Sequence, residues 1–60
     1  MSDEAKEAYI KAVEVAEEEL RQAAIALRMR FYIEFQEEVD AITSIIVDLS
    51  NKRVEMKAKQ

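Results

Sequence analysis

The 60-residue chain contains neither glycine nor proline. Average usage would place roughly four glycines and three prolines in a chain of this length. These residue types form most tight turns and helix C-termini, because glycine tolerates positive φ and proline fixes φ near one value. Hairpin-rich β folds and glycine-rich phosphate-binding loops are therefore disfavoured, whereas long helices need neither residue.

The first half of the chain carries an apolar stripe at helical spacing. Ser2 is a predicted N-cap, and Asp3 and Glu4 follow in the first turn, where the helix dipole favours negative charge. Apolar residues then recur at alternating intervals of four and three, which places them on one helix face. We expect a helix over residues 3–28. Its predicted interface residues are Tyr9, Val13, Ala16, Leu20, Ala23 and Leu27.

The second half continues the predicted interface in a different phase. From Leu27, three successive intervals of four residues lead to Val39. This shift indicates either a stutter in a continuous coiled coil or the turn of a helical hairpin, and the sequence leaves both open. Arg28, Met29 and Arg30 give no turn signal of their own. The remaining predicted interface residues are Phe31, Phe35, Val39, Ile42, Ile46 and Leu49.

A competing interpretation gives an α+β fold with a C-terminal β-hairpin near residues 44–59. Residues 44–50 are rich in β-branched side chains, and residues 54–59 alternate between apolar and polar. The acid-first i,i+4 pairs Asp48–Lys52 and Glu55–Lys59 favour a helix instead. We therefore expect an all-α fold, with the β-hairpin as the alternative.

An amphipathic helix of this length must cover its apolar stripe, either with the other half of the chain or with another molecule. Residues 1–20 carry a net charge of −5 and residues 41–60 a net charge of +2. The apolar side chains of the first stripe are small and those of the second are bulky. Antiparallel packing therefore places the acidic end beside the basic end and lets small side chains face bulky ones. We expect one helical oligomerisation domain over residues 1–60. It is either a long amphipathic helix or a two-helix hairpin, packed antiparallel into a coiled-coil or helical-bundle homo-oligomer.

A sparser set of apolar residues lies away from the main stripe. Two interpretations remain open for this set: singly tolerated surface residues, or a second contact surface that would give a larger bundle or a docking site. Its members are Val15, Ile25, Ile33, Val47 and Val54.

The residue types needed for most enzymatic chemistry are missing. The chain has no cysteine and no histidine, which removes the thiol nucleophile and the commonest general base and metal ligand. Glutamates at i, i+3 and i+4, such as Glu14, Glu17 and Glu18, are predicted to be solvated helix faces. Arg21, Arg28 and Arg30 form a basic cluster that either binds an acidic group or pairs with nearby glutamates. We expect no enzymatic activity, no cofactor and no metal.

Charge and hydropathy also limit the partners. The net charge of −4 argues against a nucleic-acid partner, and the apolar runs are far shorter than the about 20 residues of a membrane span. We expect a cytoplasmic structural protein that self-assembles into a homo-oligomer. The alternative is a small regulatory module that presents an amphipathic helix to a protein partner. The Ala/Glu/Lys-rich opening is typical of designed helices, residues 40–58 are less idealised, and the origin stays open.

Overall fold

The computed structural model describes residues 2–58 and contains two helices joined by a short turn. Helix α1 spans Asp3–Phe31 and helix α2 spans Gln36–Ala58. The helices pack against each other in antiparallel orientation, and the molecule measures 44 × 14 × 11 Å. The predicted all-α fold is confirmed. Of its two predicted forms, the chain adopts the helical hairpin.

Helix α1 begins at the predicted cap. Ser2 has extended backbone angles, and its Oγ accepts a hydrogen bond from the Ala5 amide at 3.2 Å. The carbonyl of Ser2 accepts from the Lys6 amide at 2.9 Å, which closes the first helical turn. The cap thus satisfies one of the amide groups that a helix N-terminus leaves without an intrahelical partner.

The chain reverses direction at residues 32–35, and α1 runs three residues beyond the predicted end at residue 28. Arg28 and Arg30 lie in the last turn of α1, where the negative end of the helix dipole favours basic side chains. No described residue has positive φ, so the reversal needs no glycine. The Phe35 amide donates to the Phe31 carbonyl at 3.0 Å, and the Val39 amide donates to the Phe35 carbonyl at 2.9 Å.

The alternative β-hairpin near residues 44–59 is wrong over residues 44–58, which lie in α2; residue 59 lies outside the described residues. The β-branched residues of this segment adopt a helical conformation because tertiary packing outweighs their local preference for strands. Thr43 donates from its hydroxyl to the Val39 carbonyl at 2.9 Å, a bond available only within a helix. The predicted pair Asp48–Lys52 forms at 3.5 Å.

The core between the helices is thin. Among the described residues, Val39 is the only fully buried hydrophobic side chain, at 1% exposure. The other inward-facing apolar side chains stay partly open to solvent, because two helices cover most of them on only a few sides. These half-buried residues include Tyr9, Ile10, Val13, Leu20, Ala24, Leu27, Ile42, Ile46, Leu49 and Met56.

Candidate interaction surface

A buried ion pair joins the middle of α1 to the C-terminal part of α2. Arg53 Nε donates to Glu17 Oε2 at 2.8 Å, and Arg53 Nη2 donates to Glu17 Oε1 at 3.3 Å. The Glu17 side chain is 5% exposed and that of Arg53 is 23% exposed. Glu14 approaches the same guanidinium at 3.9 Å. The hydrogen bonds that Arg53 donates to Glu17 raise the pKa of Arg53, so the guanidinium stays charged throughout the accessible pH range.

The prediction that Glu14, Glu17 and Glu18 lie on solvated helix faces is wrong for Glu17, whose side chain is buried against α2. Glu17 points inward to α2, whereas Glu18 points outward and accepts hydrogen bonds from Gln22 at 3.0 Å and Arg21 at 2.9 Å. Both hydrogen bonds lower the pKa of Glu18, and the bond from Gln22 has the larger effect. Within residues 2–58, no group of three acidic, histidine or cysteine side chains is arranged to hold a metal ion.

The sequence contains a signal for this ion pair. Glu17 lies four residues after Val13 and three before Leu20, and Arg53 lies four after Leu49, so both occupy apolar-stripe positions. Charge at such a position predicts a buried partner, because an unpaired buried charge is costly. Sequence spacing alone does not connect Glu17 with Arg53, since their contact depends on the register of the hairpin.

Most of the predicted interface residues are brought together between the helices. The half-buried or buried members are Tyr9, Val13, Ala16, Leu20, Leu27, Val39, Ile42, Ile46 and Leu49. The structure places Ala23 on the exposed surface, and Ala24 faces α2 in its place. Phe31 and Phe35 lie beside the turn, about half exposed, and contact each other edge to face with ring centroids 6.3 Å apart.

The second apolar set is exposed, and the hairpin divides it between two sides. Ile25 shares a groove with Thr43, and Val47 and Val54 follow Thr43 on the same flank of α2 at helical spacing. Val15 lies on a different side of α1, since ten residues separate it from Ile25. Ile33 lies in the turn. These residues therefore do not form one continuous surface within a single hairpin.

The groove on one side of the hairpin combines apolar and basic side chains. Arg21 and Arg28 flank Ile25 on α1, and Thr43 lines the opposite wall on α2. The Arg28 guanidinium also lies 5.9 Å from the centroid of the Tyr32 ring, in cation–π geometry. We call this groove the arginine groove. It is lined by Arg21, Ala24, Ile25, Arg28, Val39, Thr43 and Ile46.

We call the opposite side of the hairpin the Ile45 face. Its α2 part consists of the partly exposed Ile42, Leu49 and Met56 around Ile45, which is 49% exposed. Its α1 part consists of small exposed side chains at successive spacings of 3, 4, 11 and 3 residues, which keep them on one side of the helix. These are Ala5, Ala8, Ala12, Ala23 and Ala26. Both parts lie on the same side because the arginine groove occupies the other flank of each helix.

Comparison with known proteins gives no relative from which a function can be transferred. No protein-family model, curated protein or solved structure matches this chain. In the part of the chain that the structure describes, neither helix is long and apolar enough to cross a membrane. The surfaces of the hairpin are therefore the basis for assigning a function.

Proposed function

We propose that the protein is a non-enzymatic self-assembly module, in which hairpins associate into a helical-bundle homo-oligomer. The observation that carries this proposal is the surface left exposed by one hairpin. The chain has an accessible area of 4824 Å², whereas a compact monomer of this mass exposes about 4,000 Å². The excess of about 800 Å² is close to the area that each partner buries in a standard protein interface.

The shape of the hairpin supports the same conclusion. Its radius of gyration is 14.0 Å, against about 10 Å for a compact domain of 60 residues. Large apolar side chains such as Ile45 and Val54 remain about half exposed along its length. A second hairpin packed against the first would convert two thin layers into a four-helix bundle with an enclosed core.

Dilution tests this proposal, because the stability of an oligomer depends on its concentration. We expect the melting temperature, followed by circular dichroism at 222 nm, to fall on dilution from about 100 to about 1 μM. The hundredfold dilution corresponds to about 2.7 kcal/mol for a dimer, or roughly 10 °C or more for a domain of this size. A melting temperature independent of concentration, with a monomer mass throughout, would contradict self-assembly.

The arginine groove favours a second candidate function, that of a small binding module for a protein partner. Two guanidinium groups beside exposed Ile25 would suit an amphipathic helix with acidic residues next to its apolar face. The dilution experiment separates the candidates. A folded monomer at all concentrations would favour the binding module, whereas a concentration-dependent melt favours self-assembly.

A further inference from the structure

We propose that the Ile45 face is the contact surface for a second copy of this chain. The two hairpins pack face to face, with their turns at the same end. This inference rests on the proposed self-assembly and adds the face and the orientation of the partner. Three observations support it: the charges on the face, the different side-chain volumes of its α1 and α2 parts, and the large exposed area of the hairpin.

Four charged residues lie among the apolar residues of the Ile45 face. On α1, Glu19 is seven residues after Ala12, and Arg30 is four residues after Ala26. On α2, Glu38 is seven residues before Ile45, and Lys52 is seven residues after it. Within residues 2–58, neither Glu19 nor Arg30 nor Glu38 forms an ion pair, and Lys52 contacts only the exposed Asp48 at 3.5 Å.

The register of the hairpin places opposite charges at the same level. Glu17 contacts Arg53, so Glu19 lies level with residue 51 and beside Lys52. Nearer the turn, Arg28 and Val39 line the same groove, so Arg30 lies level with residues 37 and 38. Each helix therefore carries one acid and one base on this face, each at the level of an opposite charge on the other helix.

A twofold axis parallel to the helices turns this pattern into intermolecular pairs. Such an axis keeps every residue at its own level and places α1 over α2 of the partner. Glu19 then meets the partner's Lys52, and Arg30 meets the partner's Glu38. Each pair occurs twice in the dimer, and neighbouring helices are antiparallel, as in an up-down-up-down bundle.

Side-chain volume favours the same orientation. With the turns together, the small alanines of α1 lie over Ile45 and Met56 of the partner, so small and large side chains alternate through the core. With the turns at opposite ends and full overlap, α1 lies over α1 and α2 over α2. That arrangement sets small residues on small and bulky on bulky, and it brings Glu19 near Glu19 and Lys52 near Lys52.

The arginine groove is a poorer contact surface for a second copy. Arg21 and Arg28 line it, and Glu14 and Asp40 occupy neighbouring positions on the same flanks. Burying these groups would remove four charges from water. The Ile45 face also carries four charged residues, but each lies level with an opposite charge, so a second copy pairs all four.

Charge reversal in trans tests the face. Glu19→Lys and Lys52→Glu are each expected to weaken the homodimer about tenfold in Kd, measured by sedimentation equilibrium, because each creates two like-charge contacts. Mixed in equal amounts, they should form a heterodimer of near wild-type affinity, identified by native mass spectrometry with one variant labelled with ¹⁵N. The matched controls Glu55→Lys and Lys11→Glu make the same charge changes away from the face and should alter Kd less than about twofold.

Spin-label distances test the orientation. The chain has no cysteine, so Ile33→Cys, in the turn and 86% exposed before substitution, supplies a single labelling site. With the turns together, the two labels should lie less than about 30 Å apart, given helix spacings of 8–10 Å. Labels separated by about the 44 Å length of the hairpin, or weakening that mixing does not repair, would overturn this inference while leaving self-assembly intact. A wild-type monomer would instead refute the proposed function itself.

Discussion

The most informative single substitution is Arg53→Met, which leaves the Glu17 carboxylate buried without its two hydrogen-bond donors. Breaking a buried ion pair by removing one partner typically costs 3–5 kcal/mol. Water reaches part of this site, since the Arg53 side chain is 23% exposed, so we expect the unpaired Glu17 carboxylate to cost about 2–3 kcal/mol. The assay is urea unfolding followed by circular dichroism, with all variants at one protein concentration.

The double variant Glu17→Leu/Arg53→Met completes the test. Replacing both charges by apolar side chains of similar size is often neutral or stabilising, so we expect stability within about 1 kcal/mol of the wild type, or above it. Arg21→Met is the matched control, because it breaks the exposed pair with Glu18 and should change stability little. If Arg53→Met destabilises the protein no more than Arg21→Met, the Glu17–Arg53 pair contributes no more than an exposed pair, contrary to its burial in the structure.

Three further predictions concern the core, the cap and a titrating group. Ile46→Asp places a carboxylate between the helices and should cost several kcal/mol, abolishing the cooperative melt; an unchanged melting temperature would contradict the assignment of the packed face. Ser2→Ala should lower the free energy of unfolding by about 0.5–2 kcal/mol and Ser2→Gly by less, as measured in urea. The hydrogen bonds from Gln22 and Arg21 should give Glu18 a pKa below its ordinary 4.5 in a carbon NMR titration. The stabilisation from these hydrogen bonds is complete above the unfolded-state pKa of Glu18 and is lost as the pH falls through its folded-state pKa. A titration midpoint of Glu18 at or above 4.5 would count against these bonds.

Periodicity and composition predicted the helices well because those signals are local. Local signals determine helical conformation within a few residues of chain. Here they are the cap at Ser2, the apolar stripe from Tyr9 to Leu27 and the absence of glycine. The position of the turn was harder to predict. Residues 32–35 contain no glycine or proline, and the only sequence signal was the run of four-residue intervals from Leu27 to Val39.

Features that depend on the register between helices were not predicted. Glu17 pairs with Arg53 on the other helix, and Arg21 pairs with Glu18 rather than with Glu17. Ala24 replaces Ala23 on the packed face because a helix of 3.6 residues per turn drifts from a strict heptad over several turns. Long-range contacts set these choices, and local spacing alone does not determine them.

The solution mass of the wild-type protein tests the central claim most directly. Sedimentation equilibrium at micromolar to submillimolar concentrations should give twice the 6.9 kDa chain mass, or a larger even multiple, with dissociation on dilution. The assembled species should also keep its helical circular dichroism signal. A mass of one chain across the whole range, with the helical signal intact, would show that the hairpin is stable alone and would contradict self-assembly.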